Sequence, residues 1–427
     1  MKISKLSVLL YFIKLRFSRV FRSNKISKSM RKNWIKTLSS SPYYSDLLKN
    51  NQKFPTMKKK LFMEFFDSIN TVGIKKEEAL KLAFESEKTR DFSPSIKNIS
   101  IGLSSGTSGN RGVFLTSKIE KAIWVGAILD RVIGFSLKKR KVAFFLRANN
   151  NLYQAVKSGL LSFTFFDLKT PIEEHIKKLM DIKADILIGQ PSVLLAIAKS
   201  YQLADIKPTF NKIISVAEVL EDDHKEFLKS IFNCPINQVY QCTEGFLGYT
   251  CKKGQLHLNE DFLEIKKKYL DSNKTRFHPI ITDYLRSSQP IVRYELNDIL
   301  HEGPVCSCGS KSTVISKIEG RSDDIFRFLK NGNEIIIYPD FIRRAVILAS
   351  DQILNYSVTL IDKQIISLYL DVEKTSELPE IFKSVKFEIE KLLSEFDIAN
   401  IDFVKANKKL DQLNKFTRIK NEYSKSI

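Results

Sequence analysis

The sequence predicts an α/β protein with a large N-terminal domain of α/β layers, a β-rich subdomain within it, and a small C-terminal α+β domain. Three observations carry this. The length, 427 residues, exceeds what one hydrophobic core usually serves. Between Ile99 and Tyr240 short apolar runs alternate with helical patterns, as in a largely parallel sheet with covering helices. Past Tyr240 the texture shifts toward strands, and beyond Asp324 a last segment mixes strands with one long helix. The expected boundaries are 1–320 for the large domain, with 1–92 as a helical lead-in, 321–324 as a junction and 325–427 as the small domain.

Taken in order, Met1–Asn24 mixes basic residues with the apolar run Val8–Ile13, far short of the roughly 20 residues that span a bilayer. Neither a longer apolar run nor a small-residue cleavage site marks a signal peptide. Lys14, Arg16, Arg19 and Arg22, interleaved with Leu15, Phe17, Val20 and Phe21, read as a basic amphipathic helix. Such a helix packs on its own domain or attaches peripherally to an anionic membrane. Ser27–Phe92 is helix-rich, broken at Ser41-Pro42 and Phe54-Pro55. Ile99–Leu103 reads as a strand entering a loop, and Lys118–Ile133 as the helix after it. Strands follow at Lys141–Leu146, Leu161–Leu168, Asp185–Ile188, Lys212–Val216 and Gln238–Tyr240, with helices at Glu173–Met180, Val193–Ser200 and Asp222–Phe232. Further strands are expected at Gln255–Asn259, Leu263–Lys266, Phe277–Asp283 and Ile291–Glu295. The last segment reads as strands Glu334–Ile337, Tyr356–Ile361 and Ile365–Val372, with a helix at Pro379–Phe396.

A content of 43% hydrophobic residues supports globular cores. The net charge of +21 can attract nucleic acid, anionic lipid or acidic substrates. No RNA-binding signature and no Arg-rich tract accompanies it, which argues against specific nucleic-acid binding. Five cysteines in a long chain make no disulfide framework, so a reducing cytoplasm is expected.

The candidate chemistry begins at Leu103–Gly112, where Ser104, Ser105, Thr107 and Ser108 sit with Gly106, Gly109 and Gly112 and no carboxylate. Glycines bring backbone N–H groups close to an anion and hydroxyls add donors, so a polyphosphate suits the loop, although such clusters are also plain solvated turns. In Tyr240-Gln241-Cys242-Thr243-Glu244-Gly245, a Thr hydroxyl beside a Glu carboxylate at a strand end can hold an α-phosphate and its Mg²⁺. Asp298, after another short strand, can accept from both ribose hydroxyls, or simply form a turn. In Gly320-Arg321-Ser322-Asp323-Asp324, Arg321 can reach phosphate or ribose and the Asp pair can anchor a pivot.

Together these four motifs, in this order and approximate spacing, resemble the adenylate-forming (acyl-CoA synthetase-like) superfamily. Ser41-Pro42-Tyr43-Tyr44, Phe66-Asp67-Ser68-Ile69-Asn70-Thr71 and Asn110-Arg111-Gly112 resemble its phenylacetate–CoA ligase and CapK branch. The resemblance implies a large ATP- and acyl-binding domain with a small mobile lid. It also implies ATP-dependent adenylation of a carboxylic acid, release of pyrophosphate, and acyl transfer to CoA or another acceptor. By the same resemblance Ser104–Gly109 holds the departing phosphates, Thr243 the α-phosphate, Glu244 the Mg²⁺ and Asp298 the ribose. Arg321 touches the nucleotide, Asp323 is the hinge, Tyr240 belongs to the nucleotide-binding motif, and Ala217-Glu218 packs the adenine. Gly112 stands where many relatives carry lysine, leaving Arg111 to supply that loop's charge. Asn414-Lys415-Phe416-Thr417 resembles the family's glycine–lysine ending, which makes Lys415 the candidate catalytic lysine. The acyl pocket is expected from Phe145–Asn151, Gly189–Ser192 and Tyr240–Phe246, with Phe144, Phe145, Tyr153 and Phe246 suggesting an apolar or aromatic acid. Other readings stay open: adenylyl transfer to a deazaflavin-type coenzyme, a CapK-like role in surface-polysaccharide synthesis, or a basic nucleic-acid binder or scaffold with a decayed site.

A separate constellation, Cys251, His257, Cys306 and Cys308, offers three thiolates and one imidazole, the ligand count of a closed tetrahedral Zn²⁺ site. Cys251 and His257 flank a hairpin turn at Lys252-Lys253-Gly254, so both can point into one corner. The spacing is not that of a zinc finger, and unrelated reduced cysteines with an ordinary histidine are the alternative. Some phenylacetate–CoA ligase-like proteins carry a comparable cluster, and structural zinc is the expectation. His175, His224, His278 and His301 show no partner in the sequence and read as ordinary histidines.

Overall fold

A computed structural model describes residues 4–21, 26–103, 112–134, 136, 138–146, 161–168, 170, 172–217, 220, 222–269, 272–296, 298–319, 326–330, 333–337, 339–372, 374–406 and 419–423. The chain divides into two compact units, Met1–Gly102 with Val113–Gly320, and Leu103–Gly112 with Arg321–Ile427.

The first unit opens with helices α1 (Lys5–Phe21), α2 (Lys28–Ser39), α3 (Pro42–Lys49), α4 (Lys59–Glu64), α5 (Phe66–Ile69) and α6 (Lys76–Thr89). Their breaks follow from capping. The Ser27 hydroxyl accepts from Met30 N at the start of α2, and the Ser41 hydroxyl from Tyr44 N, with Pro42 in the first turn of α3. Buried Asn70 then pins the turn into α6, donating to the Phe66 and Ile74 carbonyls at 2.9 Å and accepting from Ile74 N at 3.1 Å. Thr71 ties this lead-in to a distant loop, its hydroxyl donating to the Ser287 carbonyl at 2.7 Å.

Strands β1 (Ser100–Leu103) and β2 (Val113–Thr116) pair as a small sheet ahead of α7 (Lys118–Ile128), which continues as one π-helical turn, Leu129–Ile133. The main sheet then begins. Strands β3 (Arg140–Leu146), β4 (Leu161–Asp167), β5 (Ile186–Gly189), β6 (Lys212–Ser215) and β7 (Ile236–Gln241) are parallel, in the order β4-β3-β5-β6-β7. Helices α8 (Ile172–Ile182), α9 (Pro191–Leu203) and α10 (Asp222–Phe232) connect them. Fully buried Phe145 on β3 stacks on Phe166 of β4 at 4.5 Å, and His175 packs edge-on against both rings.

Beyond β7 the same sheet turns antiparallel, through β8 (Phe246–Thr250), β9 (Leu256–Leu258), β10 (Leu263–Tyr269), β11 (Arg276–Asp283), β12 (Tyr294–Glu295), β13 (Ile299–Glu302) and β14 (Val314–Glu319). The β-rich segment thus extends the α/β sheet to twelve strands among the described residues. Two differences from the sequence reading have local causes. The strand expected over Ile291–Glu295 shrinks to β12 because Arg293 is left-handed at φ 48°, which breaks the alternation. Strand β8 escaped notice because all five of its residues are buried, so no polar face marks it.

The second unit holds a hairpin of β15 (Phe326–Lys330) and β16 (Asn333–Ile337), then α11 (Pro339–Ala349). Strands β17 (Ile353–Asp362), β18 (Ile365–Val372), β19 (Asp402–Lys405) and β20 (Ile419–Asn421) form a sheet in the order β19-β18-β17-β20. Helix α12 (Leu378–Ser394) buries Ile381, Val385, Ile389, Leu392 and Leu393, one stripe at helical spacing.

Gly126 lets α1 and α7 approach closely: a Cβ there would lie 2.8 Å from Phe12 N. Gly126→Ala adds about 1 kcal/mol of helix propensity, yet the overpacking costs about 1–3 kcal/mol. We expect a net loss of stability by urea denaturation; a gain would show that α1 does not seat on α7 as described.

Candidate functional site

A cavity of about 450 Å³ opens at the carboxyl ends of the parallel strands, where ligands bind in open α/β sheets. Phe114, Ile123, Trp124, Phe144, Phe246 and Phe262 make its walls largely apolar. Ala217, held left-handed at φ 67°, and Val216 bring the end of β6 to its edge, and Gln241, Cys242, Thr243 and Gly245 bring the end of β7. Close by in sequence, at the ends of β5 and β6, Gln190 Oε1 and Ser215 Oγ are buried with no partner among the described residues.

The Thr243–Glu244 turn is built by local backbone bonds. Cys242 and Gly245 exchange N–H···O contacts at 3.0 and 3.3 Å, closing a tight reversal between β7 and β8. Within it the Thr243 hydroxyl donates to Glu244 Oε2 at 2.9 Å, and the Tyr294 hydroxyl donates to Glu244 Oε1 at 3.1 Å. Thr243 lines the cavity, whereas Glu244 is buried beside Tyr294 and is not part of the cavity wall. Tyr240 donates to Asp298 Oδ2 at 2.7 Å, and His278 Nδ1 lies 2.9 Å from the Asp298 carbonyl. Burial holds the Asp298 carboxyl above its ordinary range, with the Tyr240 hydroxyl opposing. His278, with no visible partner in the sequence, therefore helps hold Asp298. His175 Nε2 donates to the Asp167 carbonyl at 2.7 Å, and the residue is part of the core.

One wall of the cavity is charged, and no motif in the sequence marked it. Glu120 caps α7 in a capping box with Ser117 and accepts from Ser287 N at 2.8 Å, Ser288 N at 3.0 Å and the Ser288 hydroxyl. Burial pushes its pKa upward, but Arg286, 4.0 Å away, and the Ser288 and Ser117 bonds outweigh this and hold it low. Arg286 also donates to the Leu115 carbonyl at 3.2 Å, and Lys121 donates to the Ser100 hydroxyl. Burial lowers the Lys121 ammonium pKa. Asp283, at the end of β11, accepts from Leu285 N at 2.8 Å, and burial pushes its carboxyl up to about 6. An apolar chamber with two cations and two carboxylates on one side is suited to a small organic acid.

Among the described residues of the expected pocket segments, only those at β7–β8 line the cavity. Among the described residues Phe145 and Gly189–Pro191 do not: Phe145 is committed to the Phe166 stack. Ser104, Ser105, Gly106, Thr107, Ser108, Gly109, Arg111, Tyr153, Glu218, Arg321, Asp323 and Lys415 lie outside the described residues.

Past the other end of β8 from Phe246, Cys251, His257, Cys306 and Cys308 gather with all ligand atoms within 4.8 Å of one another. Cys251 and His257 come from the β8–β9 hairpin, turned at Gly254 (φ 81°), and the other two from the β13–β14 loop, turned at Gly309 (φ 87°). Pairing of Val314 with His257 brings the two turns together. The Cys251 and Cys306 sulfurs are 3.8 Å apart and Cys308 Sγ is 3.5 Å from His257 Nε2. A tetrahedral ion with bonds of about 2.3 Å to sulfur and 2.0–2.1 Å to nitrogen separates its ligand atoms by about 3.5–3.8 Å. His257 Nδ1 faces the Ser312 carbonyl at 3.2 Å, which directs the proton there and leaves Nε2 for the cluster.

Asp283 generates a pH prediction. Its folded pKa of about 6 lies above the ordinary 3.8, so the native state binds more protons across that window and stability falls as pH rises through it. Asp283→Asn removes the penalty. It should raise stability at pH 8 by up to about 3 kcal/mol and have little effect at pH 4, by urea denaturation at both values. An equal effect at both would refute the buried charge.

No protein-family model matches the sequence. The chain is 25% identical to Protein CapK of Staphylococcus aureus over 257 residues, 59% of this chain and 55% of CapK, so the match spans about half of that relative. It is 23% identical to indoleacetate–lysine synthetase of Pseudomonas savastanoi over 311 residues, 70% of this chain and 76% of that protein. A solved structure of 2-hydroxyisobutyryl-CoA ligase, in complex with 2-HIB-AMP and CoA, superposes with a TM-score of 0.53 at 14% identity, covering 96% of this chain and 94% of that one. A shared course of the chain over nearly the full length of both is a statement about architecture: this chain has the fold of that ligase.

Proposed function

We propose that this chain adenylates a small apolar or aromatic carboxylic acid with ATP, releases pyrophosphate, and passes the acyl group to CoA or another acceptor. The observation that carries it is the Thr243–Glu244 turn set at the edge of an apolar chamber at the carboxyl end of the sheet. A substrate carboxylate oxygen attacks the α-phosphorus as the bond to the β-phosphate oxygen breaks, so pyrophosphate leaves and acyl-AMP remains. The chain's task is to place and neutralise charge. Thr243 donates to the α-phosphate; Ser104–Gly109 and Arg111 take the departing phosphates; Asp298, aligned by Tyr240, accepts from the ribose; Ala217 and Glu218 flank the adenine. Arg321 contacts the nucleotide, Asp323 is the pivot of the small domain, and Lys415 bridges carboxylate and α-phosphate. Glu244, a buried carboxylate fixed by two hydroxyls, would offer Mg²⁺ a hard oxygen donor.

The CapK and indoleacetate–lysine synthetase likenesses support the phenylacetate–CoA ligase and CapK branch. The second relative is named for an aromatic acetic acid and an amine, which supports an aromatic acid in a chamber that Phe144 and Phe246 line together with Trp124. All five cysteines are free, in keeping with the reducing cytoplasm, where ATP is abundant. Zn²⁺ fits the Cys251, His257, Cys306 and Cys308 cluster in donor set and spacing, and there it would staple two turns of the sheet.

ATP–pyrophosphate exchange across a panel of carboxylic acids tests the reaction. One class of acid should stimulate exchange, and Lys415→Ala and Thr243→Ala should each lower it on the order of 10²-fold. Absence of ATP binding by calorimetry would defeat the proposal. For the metal, the purified protein should carry about one zinc per chain, and Cys306→Ser should lower both zinc content and melting temperature. Metal-free protein of unchanged stability would remove zinc from the account.

A further inference from the structure

Helix α1 carries two apolar faces, and only one is used. Val8, Leu15 and Ser18 are buried against the domain, with α7 beneath. On the opposite side Leu6, Leu9, Leu10, Ile13, Phe17 and Val20, with Phe21 at the end, are each between 51% and 70% exposed. At 100° per residue these side chains fall within an arc of roughly 120°. Exposed Lys5 and Arg16 border that arc on one edge and exposed Lys14 on the other.

The helix is fixed in this orientation. The Arg19 guanidinium donates to both oxygens of Asp130, at 2.9 and 2.8 Å, and the Asp130 side chain is fully buried. Asp130 neighbours buried Arg131, which pairs with Asp261 at 2.6 Å, so the seat of α1 reaches into the core. With Gly126 admitting the backbone of α1, the helix cannot roll to hide its outer ridge without breaking that pair.

Charge decides what covers the ridge. The helix contains no acidic residue, and eleven Lys and Arg precede Asp46, the first carboxylate in the chain. A second copy of the same face would bring like charges together, whereas an anionic bilayer surface offers opposite charge and an apolar layer beneath it. At 17 residues with four basic side chains the helix is suited to lying in the interface, and among the described residues no helix is long and apolar enough to cross a membrane. We propose that α1 is an interfacial helix that docks this protein on an anionic lipid surface, its Leu–Ile–Phe ridge in the acyl boundary and Lys5, Lys14 and Arg16 at the phosphates.

Sedimentation of the full chain with vesicles of phosphatidylcholine, against vesicles partly replaced by phosphatidylglycerol, tests this. Binding should be strong only to the second and should weaken as salt is raised. Leu10→Glu with Ile13→Glu alters exposed side chains only, so the circular dichroism and melting temperature should persist while affinity falls roughly 100-fold. Lys5→Glu with Lys14→Glu should lower affinity for anionic vesicles about tenfold or more. Failure of the folded wild-type chain to bind anionic vesicles would overturn the proposal, as would full binding by Leu10→Glu with Ile13→Glu. So would a dimer that this double variant dissolves and that shows no affinity for lipid, which would assign the face to a second copy.

Discussion

The four-residue reversal from Cys242 to Gly245 is the constraint on which the rest of the large unit depends. Its reciprocal backbone bonds turn the chain directly from β7 into β8, and so convert a parallel α/β sheet into an antiparallel one without a break. Because the reversal lies at the carboxyl end of β7, it places Thr243 at the cavity and Glu244 in the core beside Tyr294. Because β8 continues into the β8–β9 hairpin, it also sets the position of Cys251 and His257. A longer connection would have separated these features; a short one makes them parts of one rigid sheet.

Buried charge ties distant segments of this unit together, at Glu120 and along the run from Arg19 to Asp261. Glu120 satisfies the start of α7 and the Ser287–Ser288 backbone at once, while Thr71 reaches the same loop from the helical lead-in. The chain of Arg19, Asp130, Arg131 and Asp261 does the same for α1 and the antiparallel end of the sheet, with Arg131 also lying 4.7 Å over the Phe262 ring. Carboxylates so deeply placed are tolerable because each accepts several bonds or a paired guanidinium. Removal of one partner would leave a charge stranded.

The proposed chemistry and the proposed attachment use different surfaces of the first unit. The cavity is lined by aromatic side chains drawn from β2, α7, β3, β8 and the turn before β10, whereas the exposed ridge of α1 lies on the opposite side of that helix from α7.

What the sequence determined by itself was the alternation of elements and the identity of the chemical groups. Periodicity alone located α10 and β18 to the residue, and the hydroxyl, carboxylate and thiol motifs were legible because each is contiguous. Even the Cys and His constellation was visible, since its members flank recognisable turns. The tertiary structure decided what depends on burial and on long-range register. Strand β8 is hidden from periodicity by burial on both faces, and Arg293 cuts a strand by a backbone angle that residue type does not announce. Glu120 lies far along the chain from Asp283 and Arg286, and all three look like ordinary surface charges until the fold gathers them around one cavity. A single helix with apolar residues on both sides also reads as core; only packing against α7 shows which face is spent and which remains.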